Sequence, residues 1–245
     1  MEILISDLHK YLDFIHQEID IPNYLPVQGN HYLEVLTKFH QFFNPKTYVE
    51  IGVNYGDSLR LANCKAIGID PDPKIHDNNK YLIYGKTSDL FFQEDAKNLF
   101  QIDKIDLAFI DGMHLFEFAL RDFINIEKYA HTNSYILIHD ILPRCFSEAS
   151  RGMVTSAWTG DVWRLMIGLK KYRSDLNITV LDSSPTGLGV ITNLNPHSTV
   201  LIENYQKIIK ELSGMNTLSF IQTRDLIMNT FSTELYFKNF PNKIN

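Results

Sequence analysis

The 245-residue sequence has little cysteine and no long hydrophobic run. Two cysteines, Cys64 and Cys145, are too few for a disulfide framework or a thiolate zinc site, so a reducing, cytoplasmic location is expected. No apolar stretch approaches the roughly 18 residues that span a bilayer. The first residues also lack the basic start and apolar run of a signal peptide. We therefore expect no membrane association.

An excess of basic residues is also missing. Lys and Arg number 23 against 29 Asp and Glu, which gives a net charge of −6 and disfavours a general nucleic-acid binder. Hydrophobic residues make up 44% of the chain and aromatic residues 12%, a composition that excludes a disordered chain. There is no low-complexity tract and no repeat of solenoid period. These features indicate a globular protein with a full core.

The pattern divides the chain into three predicted segments. Residues 1–45 are predicted to be a helical N-terminal extension, with a second helix from about Tyr32 to Phe43. Residues 46–195 alternate short apolar runs with helical stretches. Residues 196–245 are predicted to be a C-terminal helix and tail that pack on the core, because the tail ends in aromatic residues: Phe231, Tyr236, Phe237 and Phe240.

The central segment predicts an α/β fold, a Rossmann-like doubly wound sheet of seven strands. A turn-rich connection, residues 182–187, suits a hairpin, so the last strand is expected to be antiparallel. The predicted helices are Ser58–Asn63, Ser88–Leu99, Leu115–Tyr129, Asp161–Tyr172 and Thr199–Leu212. The predicted strands are Tyr48–Ile51, Ala66–Ile69, Tyr81–Tyr84, Asp106–Ile110, Tyr135–Ile138, Ile178–Leu181 and Leu188–Thr192.

A glycine turn follows the first predicted strand. Gly52 and Gly56 frame Asn54 and Tyr55, with Ser58 next, so backbone N–H groups become available to a ligand. The spacing lacks the third glycine of the dinucleotide fingerprint, and Glu50 would disfavour a pyrophosphate while favouring a ligand with an amino group and a sulfonium. Asp70 ends the second strand, where it can accept hydrogen bonds from ribose hydroxyls. Thr87 and Ser88 follow the third strand and could contact a base or cap a helix.

A second group of polar residues follows two further strands. Asp111 and His114 come after the fourth strand, and His139 and Asp140 end the fifth. Because these strands are neighbours in a sheet of this type, the four side chains should meet at one edge. Each also has a structural reading: Asp111 and Asp140 could cap helices, and His114 and His139 could be packed histidines.

Together these motifs resemble the class I S-adenosylmethionine-dependent methyltransferases. The glycine turn with its acid-ended second strand resembles motif I of that superfamily. The runs Ile110-Asp111-Gly112 and Ile138-His139-Asp140 resemble the branch of small-molecule and sugar O-methyltransferases and cephalosporin-hydroxylase-like proteins. The similarity extends from about Thr47 to Ile191. The resemblance implies a methyl transfer from S-adenosylmethionine to a hydroxyl of a small molecule or sugar.

Methyl transfer to a hydroxyl needs the loss of the hydroxyl proton, and two routes stay open. His114 or His139 could act as the general base. Alternatively, Asp111 and Asp140 could bind a divalent cation, Mg²⁺ or Mn²⁺, that lowers the pKa of the hydroxyl. Metal-using relatives commonly have two adjacent acids after the fifth strand, whereas this chain has His139 before Asp140. Histidine suits Mn²⁺ or Fe²⁺ better than Mg²⁺.

The sequence is also compatible with other functions. The sheet could belong to an NAD-dependent dehydrogenase, although the fingerprint glycine is missing, or to a nucleoside-cofactor-binding protein without methyl transfer. The expected partner is a small-molecule or sugar acceptor rather than a nucleic acid or a membrane. The N-terminal extension could cover the acceptor site or form a homodimer.

Overall fold

A computed structural model describes residues 2–75 and 80–239, so Phe240 lies outside the described part of the chain. Seven strands form one sheet in the order β3-β2-β1-β4-β5-β7-β6. The strands are β1 (Thr47–Ile51), β2 (Lys65–Ile69), β3 (Tyr81–Tyr84), β4 (Ile105–Ile110), β5 (Ala130–His139), β6 (Asn177–Leu181) and β7 (Leu188–Thr192).

Strands β1 to β5 pair in parallel, and β7 runs antiparallel to both β5 and β6. The predicted Rossmann-like sheet with an antiparallel last strand is therefore confirmed. The apolar runs predicted the strands well because both faces of the inner strands are buried, as all five residues of β1 illustrate. The pairing of β4 with β5 brings the ends of these strands to the same edge.

Helices cover both faces of the sheet. They are α1 (Glu2–Phe14), α2 (Tyr32–Phe43), α3 (Ser88–Glu94), α4 (Ala96–Leu99), α5 (Phe116–Tyr129), α6 (Trp163–Tyr172), α7 (Val200–Glu203), α8 (Tyr205–Ser213), α9 (Thr217–Met228) and α10 (Thr233–Lys238). None of them, in the part of the chain that the structure describes, has the length and hydrophobicity to cross a membrane.

The helix predicted at Ser58–Asn63 is wrong. Only one 3₁₀ turn, Leu59–Leu61, forms there. The connection from β1 to β2, residues 52–64, must form the glycine turn and also run back along the length of the strands to the start of β2. A parallel crossover needs about a dozen residues, so little chain remains for a longer helix.

The terminal segments pack against the two faces. Helix α2 buries Phe39, which contacts Phe237 of α10 with ring centroids 5.2 Å apart. On the other face, Trp163 stacks on Phe220 of α9 at 3.7 Å. These contacts attach both ends of the chain to the sheet.

A buried histidine beneath the sheet makes stability depend on pH. Both ring nitrogens of His40 lack hydrogen-bond partners in the described structure, and the ring packs edge-on against Tyr48 at 4.6 Å. Burial, helped by the positive charge of Lys80, lowers the pKa of His40 from 6.5 to about 4. Between these values the unfolded chain binds a proton that the folded chain does not, so the folded state loses stability as pH falls.

We therefore expect His40→Phe to be less sensitive to acid than the wild type. The wild type should lose about 3 kcal/mol more unfolding free energy than the variant between pH 6.5 and 4, since one pKa unit corresponds to 1.36 kcal/mol. Urea unfolding at several pH values measures this difference. The exposed His197, changed to Gln, is the control and should behave like the wild type. Parallel pH profiles for wild type and His40→Phe would contradict the account.

Candidate active site

The glycine turn after β1 has positive φ angles, which glycine adopts easily and most other residues do not. Gly52 and Gly56 have φ of 88° and 74°, and Asn54 has φ of 45°. A Cβ atom on Gly52 would lie 1.9 Å from the carbonyl oxygen of Asp111. Glycine is therefore required at this position both for its backbone angle and for the close approach of the loop after β4.

Asp70 fixes this turn from the end of β2. Its Oδ2 accepts hydrogen bonds from the backbone N–H groups of Val53 (2.9 Å) and Asn54 (2.8 Å), and its Oδ1 accepts one from Asp72 (2.7 Å). A carboxylate has about four acceptor positions, so about one position remains for a ligand. Asp70 thus has a structural role that the sequence did not indicate.

Glu50 lies behind the turn. Its side chain is fully buried, and it accepts hydrogen bonds from the hydroxyls of Tyr48 (2.6 Å) and Ser58 (2.8 Å). Burial raises the pKa of Glu50 to about 8, although both hydroxyls act to lower it. The residue does not line the cavity. The expected direct contact between Glu50 and a ligand is thereby corrected to a supporting position behind Ser58.

A cavity of about 560 Å³ opens beside the turn. Two of the four predicted catalytic residues, Asp111 and His114, line it. Most of the predicted ligand-binding residues also line it: Gly52, Asn54, Tyr55, Gly56, Ser58, Asp70, Thr87, Ser88 and Asp111. His139 and Asp140 are not in the lining and are almost completely buried. Thr87 also caps α3 through a hydrogen bond from the Leu90 N–H (3.3 Å), which confirms the capping alternative.

The two histidines and two aspartates form one cluster at the edge of the cavity. His114 Nε2 lies 3.3 Å from Asp140 Oδ2 and 3.5 Å from Asp111 Oδ1. His139 Nδ1 lies 3.2 Å from the same Asp111 oxygen. The sequence prediction that these four residues meet is confirmed as a matter of geometry. Neither aspartate caps a helix in the described part of the chain.

Opposite charges control protonation in the cluster. Burial alone would lower the pKa of His114 and His139, but the facing carboxylates outweigh it and raise each to about 9. Burial acts to raise the pKa of Asp111, yet the two histidines hold it well below its usual range. For Asp140 burial prevails and raises the pKa. At neutral pH both imidazole rings are therefore protonated and positively charged, while Asp111 is ionised.

Hydrogen bonds outside the cluster orient both rings. His114 Nδ1 lies 2.8 Å from the carbonyl oxygen of Trp158, which can only accept, so this nitrogen carries hydrogen and Nε2 faces the carboxylates. The Thr186 hydroxyl donates to Asp140 Oδ1 (2.5 Å) and lies 3.4 Å from His139 Nε2. Because its hydrogen goes to Asp140, Thr186 accepts from Nε2–H, and His139 Nδ1 faces Asp111.

Three members of the cluster have the composition of a metal site. Asp111, His139 and Asp140 each offer one ligand atom, and these atoms all lie within 4.8 Å of one another. Among the described residues no other group of this kind is found. The predicted pair of Asp111 and Asp140 therefore gains a nitrogen donor.

The sequence did not indicate several residues of the cavity. Tyr32 comes from α2, outside the recognised motifs, and its ring lies 4.3 Å from that of His139. Asp89 and Phe118 belong to none of the recognised sequence motifs, so they were not predicted as site residues. Asp122 could have been noticed, because it and Glu127 are acids among the otherwise apolar buried residues of α5.

Part of the chain is similar to a known protein family. Residues 49–141 match a family described as a methyltransferase domain. No curated protein matches the chain significantly.

Solved structures share the fold. An O-methyltransferase from Bacillus cereus in complex with SAH is 12% identical, with a TM-score of 0.52 over 75% of this chain and 90% of that chain. The SAH-bound methyltransferase PaMTH1 of Podospora anserina is 13% identical, with a TM-score of 0.50 over 77% and 88%. An O-methyltransferase assigned to Klebsiella pneumoniae is 12% identical, with a TM-score of 0.50 over 77% and 90%. The chain therefore has the fold of these methyltransferases, and its residues 49–141 are similar to a methyltransferase domain.

Proposed function

We propose that the chain transfers a methyl group from S-adenosylmethionine to a hydroxyl oxygen of a small molecule or sugar. The observation that carries this proposal is the position of His114. Its Nε2 reaches the cavity wall between Asp111 and Asp140, beside the glycine turn. In its neutral form, His114 is a proton acceptor next to a cofactor turn, which is what an alcohol nucleophile needs.

The cofactor would lie along the cavity. A volume of about 560 Å³ is in the range of small-molecule sites, about 300–1,000 Å³. The turn at Gly52 and the carboxylate of Asp111 would face the methionine part, since negative charge attracts both the ammonium and the sulfonium. The remaining acceptor position of Asp70 would bind a ribose hydroxyl. Thr87 and Ser88 would lie beside the base.

Methyl transfer from a sulfonium is an in-line displacement, so much of the rate comes from holding the acceptor oxygen behind the methyl group. The oxygen–methyl bond forms as the carbon–sulfur bond breaks, and the electron pair leaves on sulfur. The hydroxyl proton would move to Nε2 of the neutral form of His114, and because the pKa of His114 is raised to about 9, transfer by this route should increase as the pH rises toward 9. Asp140 and Asp111 would then stabilise the imidazolium, as their distances of 3.3 Å and 3.5 Å allow.

The residues also fit a divalent cation held by Asp111, His139 and Asp140. Thr186 holds the hydrogen of His139 on Nε2 when the ring is neutral, which leaves the Nδ1 lone pair directed toward Asp111. A nitrogen among oxygen donors favours Mn²⁺ or Fe²⁺ over Mg²⁺. When bound, such an ion would lower the pKa of an acceptor hydroxyl and, by repulsion, favour neutral His114.

The N-terminal extension, residues 1–45, would cover the acceptor side of the site. Support comes from Tyr32, whose ring packs against His139 (4.3 Å) and Phe109 (6.2 Å) and lines the cavity. The backbone of α2 is also tied to the hairpin before β7, because the Tyr32 N–H donates to the Ser184 carbonyl (2.9 Å). This arrangement supports a covering role for the extension.

Incubation with methyl-labelled S-adenosylmethionine and a panel of hydroxyl compounds tests the proposal. We expect label in an O-methyl product of a sugar or small alcohol, identified by mass spectrometry. His114→Gln should reduce the transfer about 100-fold or more, since general-base catalysis contributes about 10²–10⁴-fold. Asp103→Asn, an exposed acid paired with Lys65, is the matched control and should leave transfer unchanged.

Two results would contradict the proposal. Cofactor binding without transfer to any hydroxyl would indicate a binding protein, and full activity of His114→Gln would remove the proposed base. Parallel reactions with EDTA decide between the routes. Loss of transfer that Mn²⁺ restores assigns the cation route, and unchanged transfer assigns the base alone.

The cation site can be tested without turnover. We expect Mn²⁺ to bind the protein at one site in a calorimetric titration and Mg²⁺ to bind more weakly. Thr186→Val keeps all three ligands but removes the hydroxyl that orients His139 and Asp140, so it should weaken Mn²⁺ binding about 10- to 100-fold. Asp103→Asn serves again as the control. Equal Mn²⁺ affinity for Thr186→Val and wild type, or no Mn²⁺ binding, would exclude this site.

A further inference from the structure

Tyr32 brings a hydroxyl group to the cavity from the N-terminal extension. It begins α2, whereas the other residues of the lining lie at positions 51–122. The residue is partly exposed, and no hydrogen bond in the described part of the chain involves its hydroxyl. A phenolic hydroxyl can both donate and accept a hydrogen bond. The group is therefore available to a ligand.

Contacts of the backbone and of the ring fix the position of Tyr32. Its backbone N–H donates to the carbonyl oxygen of Ser184 (2.9 Å). Its ring packs on the ring of His139 at 4.3 Å and on that of Phe109 at 6.2 Å. Because the ring is held by these neighbours, the hydroxyl at its far end is the part of the side chain that remains for a ligand.

Four carboxyl groups indicate where this hydroxyl lies. Burial has the largest effect and raises the pKa of Tyr32 above its usual range, together with negative charges that belong, in decreasing order of effect, to Asp111, Glu50, Asp57 and Asp140. Two of these acids belong to the glycine turn and its strand, and the other two belong to the catalytic cluster. The hydroxyl thus lies near both the turn and the cluster, and it keeps its hydrogen at neutral pH.

The proposed base and the Tyr32 hydroxyl share a neighbour. His114 Nε2 lies 3.5 Å from Asp111 Oδ1, and Asp111 is the charged group that affects Tyr32 most. An acceptor oxygen beside His114 is therefore close to Tyr32 as well. A hydroxyl oxygen has one hydrogen and two lone pairs. Its hydrogen would face His114 and one lone pair would face the methyl group, which leaves the second lone pair for a donor.

We propose that the Tyr32 hydroxyl donates a hydrogen bond to the acceptor oxygen and orients it for attack on the methyl group. This inference rests on the proposed function and adds an acceptor-binding residue to it. The oxygen–methyl bond forms from one lone pair, the carbon–sulfur electron pair leaves on sulfur, and the hydroxyl proton moves to His114. Tyr32 keeps its own hydrogen, and its bond to the oxygen holds the attacking lone pair in line.

Tyr32→Phe tests the inference, because it removes the hydroxyl and keeps the ring that packs on His139. The acceptor probe is whichever of methyl glucoside, inositol and catechol the wild type methylates fastest. We expect kcat/KM for this probe to fall about 10- to 100-fold, since a hydrogen bond to the reacting oxygen is lost. The calorimetric affinity for S-adenosylhomocysteine should stay unchanged. Tyr24→Phe, an exposed tyrosine of the same extension outside the cavity lining, is the control and should match the wild type in both measurements.

The two measurements separate a contact with the acceptor from simple packing. Wild-type kcat/KM for Tyr32→Phe would overturn the inference. An equal loss of transfer and of S-adenosylhomocysteine affinity would overturn it too, because this result indicates a disturbed cavity. A wild type that binds S-adenosylhomocysteine but methylates none of the probes contradicts the proposed function, and the inference then fails with it.

Discussion

The carboxylate of Asp70 joins two strand ends, and the geometry of the site depends on that link. It accepts hydrogen bonds from the backbone N–H groups of Val53 and Asn54. These bonds hold the glycine turn in its left-handed conformation against the end of β2. With the turn fixed, Gly52 can lie against the carbonyl of Asp111 from β4. One side chain thus positions three neighbouring strand ends around the cavity.

The second constraint is charge balance beside that cavity. Two histidines and two aspartates lie close together, and His139 and Asp140 are almost completely buried, where isolated charges would be costly. The carboxylates raise the pKa of His114 and His139, and the histidines lower that of Asp111. The cluster therefore holds protons at neutral pH in the same place where a divalent cation would fit. A cation and the two ring protons would compete, which links the two routes considered for the acceptor hydroxyl.

Much of the sheet could be predicted from the sequence because buried strands produce short apolar runs that end at turns or acids. The meeting of Asp111 with His139 followed from the order of parallel strands. The position of Glu50 could not be predicted, because a strand-end acid has the same sequence pattern whether it faces the ligand or the core. Tyr32 enters the site through tertiary packing of α2, and such a contact leaves no local pattern. Asp122, in contrast, can be found from the sequence, because it is a charged residue at a position of α5 where the helical pattern predicts burial.

The most direct test of the account is the calorimetric affinity of the intact protein for S-adenosylhomocysteine. The wild type should bind, and Asp70→Ala should weaken binding about tenfold to a hundredfold, since it removes both the ribose acceptor and the anchor of the turn. Asp72→Ala, an exposed acid nearby, should bind like the wild type. The account would be contradicted if the wild type did not bind S-adenosylhomocysteine, or if the Asp70→Ala variant bound it with wild-type affinity.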